Sequence, residues 1–280
     1  MVQFRAACIQ MTAGDDVPAN IAHATALIRT AQSQGASLIA TPEMTNLMEN
    51  RSAELREKSA IEAQSEGVKR FSALAAELQI WLLIGSQAIQ LEDDERLANR
   101  SLLFDPSGRI VARYDKIHMF DVDLPSGETY RESRNYRPGD KSCLVDTALG
   151  KIGLSICYDV RFPALYRAYG QAGAQILTVP SAFTKVTGEA HWHVLLRARA
   201  IENACFVIAP AQCGTHPRGR QTYGHSLIIS PWGEVLADGG IQPGIVLADI
   251  DTGLCADARA RIPSLSHDRA FSFGGSSADV

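Results

Sequence analysis

Several things are missing from this sequence. No apolar run reaches the length that spans a bilayer, so no membrane segment is expected. The first residues, "MVQFRAACIQM", lack a charged region followed by a long apolar stretch, so they do not read as a secretion signal. Basic residues are not in excess: 27 Lys and Arg face 31 Asp and Glu, a net charge of −4. With no basic stripe or cluster, neither nucleic acid nor a membrane surface is an expected partner. There is no GxGxxG and no P-loop, so nothing supports nucleotide binding. The six cysteines stand apart, at 8, 143, 157, 205, 213 and 255, without a CxxC pair. That excludes a dense disulfide framework and fits a reduced, cytoplasmic compartment.

What is present is an ordinary globular composition, 46% hydrophobic, in which strand-like and helix-like segments alternate. "FRAACIQM", "ASLIATPEM" and "WLLIGSQAIQ" read as strands separated by the amphipathic segments "NIAHATALIRTAQSQG" and "SEGVKRFSALAAELQI". "ANRSLLFDPSGRIVARYDK" reads as a hairpin turning at Asp105-Pro106-Ser107-Gly108. The second half repeats the pattern in type. "KIGLSICYD", "QILTVPSAF" and "CFVIAPAQC" are strands, with helices at "FPALYRAYGQAGA" and "AHWHVLLRARAIENA". A second hairpin turns at Pro231-Trp232-Gly233-Glu234, and "GIVLADID" is a last strand. Two such halves predict an α/β protein of two packed sheets with helices outside. No linker divides it, and the tail "GGSSADV" is expected to be flexible.

Three polar residues fall where apolar strands end: Glu43 after "SLIATP", Lys116 after "RIVARYD", and Cys157 after "IGLSI". Carboxyl ends of strands are where α/β proteins present reactive groups. A thiol needs a base, which a desolvated carboxylate can be. A neighbouring ammonium favours the thiolate and can hold an oxyanion, and the backbone N–H of Tyr158 is a second oxyanion donor. Together these groups can run acyl transfer without a histidine. Taken singly each has a plain alternative: Cys157 as a small core hydrophobe, Glu43 as a surface acid, Lys116 as a solvated hairpin end.

The segments "TPEM", "YDKIHMFDVDLP" and "GLSICYDVRFP" resemble, in order, the nitrilase superfamily of carbon–nitrogen hydrolases. The resemblance covers residues 3–270 and implies one domain over 1–270, with 271–280 as the tail. It implies a four-layer α-β-β-α sandwich, a Glu43-Lys116-Cys157 triad, no cofactor, and homodimers or larger assemblies packed across their helices. It also implies a second glutamate sixteen residues after the lysine, in a Glu-Ser pair before Pro-Gly. "YRESRNYRPGD" puts Glu132 there, with Glu128 in "SGETY" as the competitor. Its expected role is to orient Lys116 and the substrate amide. "PSAFTKVTGEAHWHVLLRARAIEN" and "AQCGTH…YGHS…PWGEV" are most similar to amidases acting on deaminated glutathione, which release 2-oxoglutarate and cysteinylglycine. A sister branch of ω-amidases hydrolyses 2-oxoglutaramate. Both acyl groups end in a 2-oxo acid, whose carboxylate suits an Arg. Arg161 is the first choice, with an ion pair to Asp159 as its alternative reading. Arg218 and Arg220, in "THPRGRQ", either meet the carboxylate of a longer leaving group or are solvated.

The remaining features have structural readings. Phe183 and Trp192 are expected at a substrate-pocket wall or in the core. His191 and His193 form an HxH without a third ligand at a metal-like spacing and fall on different helix faces, so no metal is assigned. Cys205 reads as core, and Cys213 carries no assigned chemistry. Arg199 and Glu202 are spaced for an ion pair on a helix face. Two other function classes remain. A papain-type Cys-His hydrolase lacks its signature around Cys157, and a catalytically dead member of the fold would serve only as a binding module.

Overall fold

The computed structural model describes residues 2–124 and 127–272. The alternation read from the sequence builds two sheets. The first runs in the order Gly244–Asp251, Gln3–Gln10, Ala36–Ala40, Trp81–Gln90, Leu97–Phe104, Ile110–Asp115. The second runs Cys143–Thr147, Gly150–Leu154, Ile176–Thr178, Phe206–Ala209, Leu227–Ile229, Val235–Asp238. Each has three parallel strands at its centre, an antiparallel strand on one side and an antiparallel hairpin on the other. The two halves therefore share one topology.

Side-chain alternation along each strand makes the layers. In Gln3–Gln10, Ala6 and Cys8 pack into the cluster between the sheets, while Ala7 and Ile9 pack under the helices Val17–Ser33 and Glu66–Leu78. Ile21, Ile28, Phe71 and Leu74 of those helices meet them. On the far side, Tyr166 and Tyr169 of Pro163–Gln171 and Trp192 and Leu196 of Lys185–Asn203 cover the second sheet. The result is the four-layer α-β-β-α sandwich. Local chemistry sets the boundaries. Asp16 and Ser65 cap their helices by accepting from Ala19 and Val68, and Gln79 ends the second helix in the left-handed region. Both hairpin turns form as expected, with Gly108 at φ 80° and Gly233 at φ 83°.

The structure adds elements too short to read from periodicity: the helices Ser52–Glu57 and Gly253–Arg261, the strand Cys143–Thr147, and the small hairpins Asp121–Asp123/Thr129–Arg131 and Cys213–Thr215/Gln221–Tyr223. The strand expected through Met44 stops at Ala40, because the chain then leaves the sheet to place Glu43. Gly244–Asp251 returns to the first sheet and pairs along all of Gln3–Gln10. Of the expected tail, residues 273–280 lie outside the described residues.

Candidate active site

The strand Gly150–Leu154 ends in the second sheet, and three residues later the chain turns sharply at Cys157. Cys157 has φ 49°, a left-handed conformation that a non-glycine residue adopts at a cost of about 1–3 kcal/mol. Its surroundings hold it there. The Cys157 N–H donates to the Pro180 carbonyl at 3.0 Å. Asp159 is fully buried and accepts from Ile156 N (2.8 Å), Tyr114 Oη (2.7 Å) and His118 N (3.0 Å). Tyr114 and His118 flank Lys116, so one carboxylate fixes the turn of the thiol relative to the segment carrying the ammonium. Asp159 is thus committed elsewhere and is not the partner of Arg161.

Glu43, Lys116, Glu132 and Cys157 converge. Lys116 Nζ donates to Glu43 Oε1 at 2.9 Å and to Glu132 Oε1 and Oε2 at 3.0 and 2.8 Å. Asn99 Nδ2 bridges the two carboxylates, at 2.9 Å from Glu43 and 3.0 Å from Glu132. Phe120 N donates to Glu132 Oε2 at 2.7 Å, and Ala182 N to Glu43 Oε2 at 2.8 Å. Glu43 and Cys157 both line the cleft, close enough for the Glu43 charge to act on the thiol. Glu43 and Lys116 are each 2% exposed, so these charges interact with little solvent screening.

Burial alone would raise the Glu43 pKa, but the Lys116 charge and the hydrogen bonds from Lys116 and Ala182 outweigh it and hold Glu43 below its ordinary value. Burial alone would lower Lys116, yet Glu132 and Glu43 drive it well above its ordinary value. Burial, then the Glu43 charge, pushes the Cys157 thiol up, against the opposing pull of Lys116. The resting site therefore holds a thiol near a carboxylate and a fixed ammonium. Such a site can move one proton from sulfur to carboxylate as the sulfur attacks a carbonyl carbon.

These groups open into a cleft of about 260 Å³ whose walls include Phe120, Tyr130, Tyr158, Phe183, Thr187 and Arg220. Tyr158 is the second residue of the short turn Cys157–Arg161, where the first N–H groups lack partners within the turn. Phe183 is a wall residue. Trp192 is not: it is wholly buried one layer behind, its ring 4.9 Å from that of Phe183 and its Nε1 donating to His225 O. Arg161 stands beside the wall rather than in it, its guanidinium 5.2 Å from the Phe183 ring centre and 5.9 Å from that of Tyr158. Its hydrogen-bond partner is His191 Nδ1, at 3.2 Å. Glu128 is exposed and accepts from Tyr130 Oη, whereas the glutamate that meets Lys116 is Glu132. Arg218 pairs with Glu49, whereas Arg220 reaches the cleft. Arg199 and Glu202 form the expected ion pair at 2.8 Å. Cys205 and Cys213 are buried away from the cleft walls.

Sequence reasoning did not single out Asn99 or the Ala182 N–H, and it named Asp159 only as a partner for Arg161. Asn99 sits inside a strand rather than at its end, and a backbone donor has no residue signature. Asp159 lies within "SICYDVRF", and its burial was the missing clue.

The carbon–nitrogen hydrolase family matches residues 5–260. The chain is 43% identical over 270 residues to a deaminated glutathione amidase of Synechocystis, covering 95% of this chain and 98% of that protein. It is 37% identical to the human omega-amidase NIT2, covering 96% of each. Among solved structures it superposes on the C. elegans NitFhit protein with a TM-score of 0.89 and 36% identity, over 95% of this chain and 65% of that one. Yeast Nit3, of the nitrilase superfamily, gives a TM-score of 0.85 at 29% identity, over 93% of this chain and 94% of that one. The chain belongs to the carbon–nitrogen hydrolase family and is a hydrolase acting on amides.

Proposed function

We propose that the substrate is deaminated glutathione, hydrolysed to 2-oxoglutarate and cysteinylglycine through a thioester on Cys157. Glu43 takes the Cys157 proton as sulfur attacks the amide carbon. Lys116 Nζ and the Tyr158 N–H hold the oxyanion. Glu43 returns its proton to the leaving nitrogen, the amine departs, and the thioester remains. Glu43 then deprotonates a water, which attacks the thioester carbon; the acid leaves and the thiol is restored. Glu43, Glu132 and Lys116 together carry one net negative charge. The proton moves within the site, so that charge only migrates, from carboxylate to sulfur to oxyanion and back.

The observation that carries the substrate reading is the pair of guanidinium groups at the aromatic wall, Arg220 in it and Arg161 beside it. Arg161 lies over Tyr158 and Phe183; Arg220 lies 5.7 Å from the Tyr130 ring centre, with its Nε buried and unpartnered among the described residues. Deaminated glutathione has a carboxylate at each end, one on the 2-oxo acid and one on the glycine. Arg161 takes the first and Arg220 the second. The second reading is an ω-amidase acting on 2-oxoglutaramate, which has only the first carboxylate; the human relative's name favours it.

Both substrates at matched concentration decide between them. Deaminated glutathione is expected to give the higher kcat/KM, with little turnover of intact glutathione, whose ammonium meets Arg161. Ammonia from 2-oxoglutaramate far outrunning cysteinylglycine would establish the second reading. Arg161→Ala should weaken both reactions, and Arg220→Ala the first more than the second.

Among the described residues no helix is long and apolar enough to cross a membrane. A reducing cytoplasm suits the six free cysteines, Cys157 above all. A homodimer or larger homo-oligomer is supported by exposed Val194, Ile201 and Trp232 on the helix layer of the second sheet and the hairpin beside it. Light scattering of wild type and Ile201→Glu tests it: a smaller species is expected for the variant.

A further inference from the structure

The two histidines of the HxH part company. His191 meets Arg161, while His193 turns toward the second hairpin. There His193 Nε2 lies 3.1 Å from Asp238 Oδ2, and His225 Nδ1 lies 2.9 Å from Asp238 Oδ1. One ligand atom from each of the three residues falls within 4.8 Å of the others, a grouping found nowhere else among the described residues. The third and fourth quarters of the chain supply them: a helix, the loop before Leu227–Ile229, and the end of Val235–Asp238.

We propose that His193 Nε2, His225 Nδ1 and an Asp238 oxygen form a binding site for a divalent transition metal, with water completing the shell. Two imidazoles and one carboxylate suit Zn²⁺ and its neighbours and do not suit Ca²⁺ or Mg²⁺, which want oxygen. Zn–N and Zn–O bonds of about 2.0–2.2 Å place tetrahedral ligands about 3.3–3.6 Å apart. The ligand atoms, all within 4.8 Å of one another and 2.9–3.1 Å apart in the two His–Asp pairs, already lie near that spacing. Each imidazole must then carry its proton on the other nitrogen, so the hydrogen bonds to Asp238 give way to coordinate bonds.

The site is held from behind. The Tyr223 ring stacks on His225 at 4.4 Å and meets the His193 ring edge-on at 6.0 Å. Gly240 N donates to Asp238 Oδ1 at 2.8 Å. His225 itself has φ 51°, a strained conformation, with its N–H bonded to Gly240 O and its carbonyl accepting from Trp192 Nε1. Those two bonds and the Tyr223 stack hold the ring where the other two ligands are. The side chains of His193, His225 and Asp238 are 33%, 22% and 34% exposed, which leaves an entry path and room for water. Trp192 links this site to Phe183 of the cleft, so an ion here stiffens the layer behind the cleft without touching the reacting atoms.

Metal-stripped full-length protein titrated with Zn²⁺ by calorimetry tests the proposal, alongside Co²⁺ as a spectroscopic probe. One ion per chain is expected, bound equally by Cys157→Ala and at least tenfold more weakly by His193→Ala and Asp238→Asn. His225→Asn is a further variant, because Asn tolerates the left-handed backbone and keeps the fold. Bound Co²⁺ should show ligand-field bands without thiolate charge transfer. Zn²⁺ should raise the melting temperature of wild type and leave that of His193→Ala unmoved. Absence of saturable binding overturns the proposal. So does binding that persists in His193→Ala and His225→Asn, or Co²⁺ with a thiolate signature.

Discussion

Replacing Glu132 by Gln exchanges one oxygen for an NH₂ in a place where every neighbour is a donor. Oε1 accepts from Lys116 and Asn99, both at 3.0 Å; Oε2 accepts from Lys116 at 2.8 Å and Phe120 N at 2.7 Å. An amide has one acceptor atom, so either orientation points its NH₂ at two donors. About two hydrogen bonds to a charged group are lost, at ~1.5–3 kcal/mol each. Removing one partner of a buried ion pair costs ~3–5 kcal/mol by a separate route. Lys116 retains Glu43 at 2.9 Å and is drawn toward it, which weakens the proposed base and moves the proposed oxyanion donor. A loss near 4 kcal/mol in the transition state is a fall in kcat on the order of 10³. Glu43→Gln removes the proposed base itself and should fall further, toward ~10⁴. Glu128→Gln, on an exposed side chain, should stay within about twofold of wild type. Initial rates on both amides, with circular dichroism and iodoacetamide labelling of Cys157 as folding controls, measure this. A folded Glu132→Gln within about tenfold of wild type refutes the reasoning, as does a silent Glu132→Gln beside a dead Glu128→Gln.

Cys157→Ala should abolish turnover with the fold intact, and mass spectrometry of quenched wild type should find the acyl adduct on Cys157; an adduct elsewhere overturns the assignment of the nucleophile. Gly85→Ala should lose both stability and activity, because a Cβ there would stand 2.1 Å from Thr41 O, 2.5 Å from Pro42 O and 2.5 Å from Pro180 Cβ. Those segments carry Glu43 and hold Cys157, and overpacking of this kind costs ~1–3 kcal/mol; unchanged urea midpoint and rate would refute it. His216 is held down to about 4 by burial and the nearby Arg220 charge, with Nδ1 against Ala13 O and Nε2 against Thr222 Oγ1. Its folded pKa lies below the unfolded one, so its contribution is full above pH ~6.5 and is lost as pH falls toward 4, by up to about 3 kcal/mol. Urea unfolding of wild type and His216→Gln across that window should show the steeper loss in wild type; parallel slopes would exclude the effect.

The parts of the site legible in the sequence were those placed by strand ends. Glu43, Lys116 and Cys157 each follow an apolar run, and a run's end marks the sheet edge. The turns Asp105–Gly108 and Pro231–Glu234 were legible because left-handed glycine has few other uses. Glu132 came from the spacing of a family motif, since its own neighbourhood reads as a polar loop. Asn99 was hidden because a polar residue in mid-strand reads as solvent-facing; only the packing of the sheets shows it facing Glu43 and Glu132. Trp192 was expected at the wall or in the core, and helical periodicity could not tell one layer from the next. The partners of His193 lie 32 and 45 residues further on, a distance only the folded hairpin closes.

The shared topology of the halves explains why the site depends on how they dock. Glu43 leaves the first sheet after Ala36–Ala40, and Cys157 leaves the second after Gly150–Leu154. Neither sheet alone holds both the proposed base and the proposed nucleophile. Among the ties between them are buried hydrogen bonds at the site itself: Ala182 N to Glu43, Gln212 Nε2 to the Glu43 carbonyl at 3.0 Å, and Tyr114 Oη to Asp159. Each joins residues over forty positions apart, so none forms before the sheets meet. The desolvation that raises the thiol and the ammonium that offsets it thus arrive in one step. Until then Cys157 is an ordinary cysteine and Glu43 an ordinary carboxylate. Reactivity at Cys157 is in this sense a property of the interface between the sheets, and a substitution that loosens the sandwich anywhere along it lowers the rate through the same two groups.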